Sequence, residues 1–151
     1  METKHNLNAT TIDAAKDLIE INTDSYLGFE QAAESVNDAD AARLFRQIGM
    51  QRREHCRELE GLIGQREERS GTTLGAMHRW WLNVRSAMSS DERLAVLAEA
   101  ERGEDSIKAQ YEKLLKSKPA TALSDVLHRQ YAEVKQHHDL IRDLRDQQKK
   151  Q

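Results

Sequence analysis

Four stretches of this chain carry apolar residues at alternating steps of three and four, and that spacing leaves few folds open. Such an alternation lays a stripe along one face of an α-helix. The first stripe runs through Ile12, Ala15, Ile19, Asn22, Tyr26, Phe29, Ala33 and Val36. The second runs through Ala41, Phe45, Ile48, Arg52, His55, Leu59 and Leu62. Leu94, Leu97, Tyr111 and Leu115 mark the third, and heptad continuation passes through Glu101, Glu104 and Lys108. Leu123, Leu127, Gln130, Val134, His137, Ile141 and Leu144 make the fourth. A helix striped on one face is stable only when that face is buried against another element. The expected fold class is therefore all-α. Thr10 with Asp13 resembles a capping box, Asp38 suits an N-cap, and Pro119 suits the first turn of the last helix.

The connections order these helices. A few residues around Asn37-Asp38 join the first two, and a few around Lys118-Pro119 join the last two. Short loops make antiparallel hairpins. The stretch from Arg69 to Ser89 is long, opens on Ser70-Gly71, and holds a candidate short helix from Leu74 to Met88. Two hairpins joined by one long crossover is the connectivity of a ferritin-like four-helix bundle, and an up-down bundle of five helices is the alternative. Residues 1–9 are expected to be a flexible N-terminus and 10–148 a single domain.

Composition narrows the partners. The 23 basic and 26 acidic residues are interspersed and leave a net charge of -3, so no basic stripe points to nucleic acid. No apolar run reaches the ~18 residues that a membrane span needs. The first residues lack the apolar run of a signal peptide. A single cysteine, Cys56, excludes an intramolecular disulfide and a Cys-x-x-Cys motif. A cytoplasmic protein is the expectation. Ser-His-Asp spacing and a Gly-rich phosphate loop are both missing.

The polar residues inside the stripes are the chemical signal. A buried carboxylate costs several kcal/mol unless it is paired, protonated or metal-bound. Counting outward from the short loops puts Arg52 and His55 near Asn22 and Thr23, Glu104 level with Glu133, and Glu101 level with Gln136 and His137. Each helix thus brings polar groups to one height near mid-bundle, where helix bundles build metal sites.

The strings IEINTDSYLGFEQAAE, QRREHCRELEGLIG, GTTLGAMHRWW, AERGEDSIKAQYEKLL and HHDLIRDLRD resemble an uncharacterised bacterial ferritin-like four-helix-bundle family. That family is a domain-of-unknown-function group of small cytoplasmic proteins, and the resemblance covers about residues 8 to 147. It implies the ferritin-like fold and carries no activity with it. The wider ferritin-like group places a Glu on two helices and Glu-x-x-His on the other two. Here the first helix offers Asn22 and Thr23 at that level, the second Arg52-x-x-His55, and the fourth Glu133-x-x-x-His137 and Lys135-x-x-His138. The third keeps Glu101 and Glu104.

Two readings follow. In the first, Asn22, Arg52, His55, Glu101, Glu104, Lys108 and His137 form a buried ionic network in a non-enzymatic bundle. That protein would act through a homodimer or another protein partner, with no cofactor. In the second, Glu101, Glu104, His137, His138 and His55 form a degenerate site for Fe, Mn or Zn in an oxidative-stress-type protein. Of the adjacent pair, His137 is expected to face inward and His138 to lie at the solvent edge. Trp80 and Trp81, the two tryptophans, either seal the bundle or supply an interface patch.

Overall fold

The computed structural model describes residues 9–64, 93–119 and 121–149. These form four helices and, among the described residues, no strand: α1 (Ala9–Ser35), α2 (Ala39–Ile63), α3 (Arg93–Lys116) and α4 (Thr121–Lys149). Their inward faces meet in one core that includes Ile19, Phe29, Phe45, Ile48, Leu59, Leu97, Ile107, Tyr111, Leu127 and Ile141. The expected stripes of α1, α2 and α4 supply most of it. The segment 65–92, with Trp80, Trp81 and the candidate short helix, lies outside the described residues, as do residues 1–8.

Residue pairs in contact give the helix directions. Within α1 and α2, Thr23 meets Cys56 and Phe29 packs on Phe45 at 5.5 Å between ring centroids. Between α3 and α4, Tyr131 reaches Glu112 and Arg145 reaches Glu101. Numbers rise on one helix as they fall on the other, so both hairpins are antiparallel. The same test across the hairpins uses Arg52 with His137, His55 with Glu133 and Glu58 with Arg129 on α2 and α4. On α1 and α3, Asn22 meets Tyr111 while Thr11 and Ala14 share a groove with Ser117 and Lys118. These pairs are antiparallel too. α2 and α3 therefore face each other across the diagonal and run the same way, so Gly64 and Arg93 lie at opposite ends of the bundle.

Local chemistry sets the boundaries. Asp38 is extended (φ -144°, ψ 116°) and its carboxylate accepts from the Ala41 N–H at 2.8 Å, which makes it the N-cap the sequence suggests. α2 stops at Ile63. Gly64 adopts the left-handed conformation (φ 72°) and its N–H donates to the Glu60 carbonyl at 2.9 Å, which ends the helix. α1 is already helical at Ala9, so Thr10 lies within the helix. The last turn of α3 tightens, with Ser117 N–H donating to Leu114 O and Lys118 N–H to Leu115 O, ahead of Pro119.

The third stripe is rotated from its expected position. Leu97, Ala100, Glu104, Ile107 and Tyr111 are fully buried, while Leu94 is 37% exposed and Glu101 and Lys108 are half-buried. Successive residues differ by about 100° around a helix, so positions 100 and 101 flank the same line. Turning Ala100, Ile107 and Leu114 inward buries apolar surface and leaves Glu101 and Lys108 less buried than Glu104. Replacing the cap, Asp38→Ala, is expected to lower stability by about 1 kcal/mol in urea unfolding. An unchanged midpoint would show that the cap contributes nothing.

Candidate functional site

The centre of the bundle is an ion pair. Arg52 is the largest fully buried side chain among the described residues, and its guanidinium donates to the Glu104 carboxylate, which is also fully buried. α2 places Arg52 one turn from Ile48 and one from His55, all on its inward stripe, and α3 places Glu104 between Ala100 and Ile107. The pair therefore spans the α2–α3 diagonal. On α4, the His137 Nδ1 lies 3.4 Å from the same guanidinium. Burial raises the Glu104 carboxyl above the ordinary carboxylate range, and the Arg52 charge opposes that shift without cancelling it.

A second string of neutral groups crosses the core beside it. Asn22 on α1 donates from Nδ2 to the Leu18 carbonyl and to the Tyr111 hydroxyl, both at 2.9 Å. The hydroxyl of Tyr111 on α3 donates to Gln130 Oε1 on α4 at 2.7 Å. The Gln130 Nε2 donates to Glu58 on α2 at 2.8 Å, and Glu58 pairs at its other oxygen with Arg129. All four helices are thereby tied at one level. Burial pushes the Tyr111 hydroxyl up, so it stays a proton donor at all ordinary pH.

The third element is a histidine–carboxylate contact at a cleft. His55 Nε2 lies 2.6 Å from Glu133, which Gln51 also contacts, and the cleft of about 380 Å³ is further lined by Glu54, Glu58 and Arg129. Burial lowers His55 to about 4, against the hydrogen bond to Glu133, which raises it. Burial, then the Arg52 charge, lowers His137 to about 4 as well. Both rings are neutral at pH 7, so Nε2–H of His55 donates to Glu133 and its Nδ1 stands buried without a hydrogen-bond partner among the described residues.

The expected site residues fall into two groups. Arg52, Glu104, His137, His55 and Asn22 come together at the centre, although Asn22 reaches Tyr111 and not the ion pair. Glu101 does not join them. It pairs with Arg145 and lies 3.5 Å from His138 Nε2, which Asp105 approaches to 2.7 Å, while His138 Nδ1 faces Asp139 at 3.1 Å. Lys108 is half-buried. His137 reaches the buried Arg52 and is half-buried, while His138, expected at the solvent edge, is 9% exposed among Glu101, Asp105 and Asp139. Both rings lie on the inward side of α4. Tyr111, Gln130, Glu58, Glu133 and Arg145 are network members absent from the expected set. Gln130 interrupting the α4 stripe was the available signal. Cys56 is a buried thiol, held 3.4 Å from Thr23 Oγ1 and 3.5 Å from the Ile19 carbonyl.

Among the described residues, no three His, Cys, Asp or Glu side chains form a group that could hold a metal ion. The carboxylates around His138 approach both of its nitrogens, and Glu101 is also engaged by a guanidinium. What remains is a helical bundle organised on a polar core. Residues 10–117 match the family described as Domain of unknown function (DUF2383), and the chain belongs to that family. The match spans α1, α2 and α3. No curated protein matches the chain.

Truncating one member of the central pair strands the other in the core. Arg52→Ala is expected to cost about 3–5 kcal/mol in urea unfolding, whereas Arg52→Met with Glu104→Leu restores most of it. A loss below about 1 kcal/mol in the single variant would mean that water reaches Glu104. Acid acts through the histidines. The unfolded chain protonates its histidines near 6.5, whereas His55 and His137 stay neutral in the fold until about 4. Between those values the unfolded state binds more protons, so their contribution is complete above 6.5 and is lost as pH falls toward 4. Glu104, shifted upward, works in the opposite sense above 4.5. The thermal midpoint is expected to fall from pH 7 to pH 4.5, and His137→Gln is expected to flatten that fall. A variant profile parallel to that of the unmodified protein would remove His137 as a cause.

Proposed function

We propose that this protein is a ferritin-like bundle that works by association, with itself or with a protein partner, and not by catalysis. The parallel diagonal of α2 and α3 supports the ferritin-like reading. The Arg52–Glu104 pair carries the functional reading. Where a ferritin-like site puts a metal-binding carboxylate on the second helix, this chain puts a guanidinium that neutralises the carboxylate opposite. Arg145 does the same for Glu101 and Arg129 for Glu58. No helix of the described residues is long and apolar enough to cross a membrane. A cytoplasmic location suits the single buried thiol.

A second reading rests on the histidines. His55 and His137 are neutral in the core, and His138 stands among Glu101, Asp105 and Asp139. Imidazole and carboxylate together suit Fe, Mn or Zn. In that reading Glu101, Glu104, His55, His137 and His138 hold a divalent ion in an oxidative-stress-type protein.

Light scattering after size exclusion, with elemental analysis of the same peak, separates the two. Association predicts a mass of at least two chains and only trace metal after incubation with Fe(II), Mn(II) and Zn(II). A monomer carrying stoichiometric metal that Glu104→Ala abolishes would reverse the order of the readings.

A further inference from the structure

We infer that two copies of this chain pair through the outer face of the α1–α2 hairpin, with α1 of each lying over α2 of the other. The inference rests on the self-association reading above and gives it a surface.

The face lies on the outside of the bundle. At about 100° per residue, Leu27, Glu30 and Glu34 share one flank of α1, and Arg43, Arg46, Met50 and Arg53 share one flank of α2. All seven residues are exposed. The two flanks adjoin, since Arg53 stands over the Tyr26 ring at 5.5 Å and a Cβ on Gly49 would meet Glu30 at 3.5 Å. With Phe29 on Phe45, these contacts set Leu27 level with Met50, Glu30 near Arg46 and Glu34 near Arg43. Leu27 and Met50 are 52% and 67% exposed, the two most exposed large apolar side chains among the described residues. They form an apolar centre between charged columns.

Charge divides along the face. From Leu27 to Glu34 every charged side chain on α1 is a carboxylate, and from Arg43 to Arg53 every one on α2 is a guanidinium. Arg43 touches Asp40 of its own helix at 3.7 Å, but both groups are well exposed, so that contact holds it weakly. An acidic column beside a basic one at matched levels is complementary to its own two-fold image. A two-fold axis parallel to the hairpin, in the plane of contact, lays α1 of one copy over α2 of the other and keeps each residue at its level. Leu27 then meets Met50 of the second copy, while Glu30 and Glu34 face its Arg46 and Arg43. An axis across the hairpin lays α1 on α1 and sets carboxylate against carboxylate. Electrostatic complementarity selects the first arrangement.

The size of the strip sets the strength of the pair. From Arg43 to Arg53 it runs about 15 Å at 1.5 Å per residue, and two helices side by side are roughly 20 Å across. That is about 300 Å² per copy, well under the ~800 Å² per partner of a stable interface. Pairing through this strip is therefore transient, favoured by high chain concentration and weakened by salt.

Sedimentation velocity over a concentration series, at low salt and at about 0.5 M salt, supplies the test. Two double variants reverse one column each: Glu30→Arg with Glu34→Arg, and Arg43→Glu with Arg46→Glu. The unmodified chain is expected to associate and salt to weaken it. Either double variant alone is expected to lose about tenfold or more in affinity, and mixing the two is expected to restore it, because each reversed column then meets its opposite. Met50→Asp, a single exposed substitution at the centre, is expected to weaken the pair as well. Association that salt, the double variants and Met50→Asp all leave unchanged would overturn this face while leaving the self-association reading intact. A monomer at every concentration would overturn both.

Discussion

The Arg52–Glu104 pair is the interaction on which the rest of this bundle depends. Both partners are fully buried, on helices that face each other across the diagonal. Desolvating an isolated ion in a protein interior costs several kcal/mol, so neither side chain is tolerable there alone. Helix spacing must accommodate a guanidinium and a carboxylate end to end, and that room is then available to Tyr111, His55 and Gln130. The pair contributes little net stability against a hydrophobic replacement. Its effect is on register, because sliding either helix by one turn would leave a buried charge facing apolar groups.

The histidines read the same constraint. His55 and His137 are both held near 4, and the Arg52 charge contributes to each shift after burial. A second cation beside Arg52 would have Glu104 and Glu133 as its nearest counter-charges, already engaged. Neutral imidazoles are therefore part of how the core tolerates a buried arginine. The neutral string from Asn22 through Tyr111 to Gln130 extends the same logic, since it binds α1, α3 and α4 at one level without adding charge.

The helices and their pairing were legible because three-four periodicity and short loops act within one chain segment. Arg52, His55 and Gln130 stood out by interrupting apolar stripes, and all three are buried. One-residue choices were not legible. Glu101 and Glu104, or His137 and His138, lie within reach of the same inward line, and heptad counting cannot say which side of it faces the diagonal. Neighbouring Ala100, Ile107 and Leu114 decide the first choice by the apolar area they bury. Tyr111 was visible as a stripe residue, but its bonds to Asn22 and Gln130 depend on the distance between hairpins, which no single helix encodes.

That distance also governs the chemistry. A di-metal centre needs uncommitted carboxylates converging on one point, with a net negative charge to hold cations. Here Glu104, Glu101 and Glu58 each face a guanidinium, on α2 or α4. A metal at the centre would have to displace Arg52, leaving a charged side chain fully buried with Glu104 occupied elsewhere. The Arg52–Glu104 and Glu58–Arg129 ion pairs join the two hairpins. The atoms left unbonded in that layer, Arg52 Nε and Glu104 Oε1 among them, mark where alignment falls short of full satisfaction. A core keyed by charge in this way is specific about the register in which its two hairpins meet.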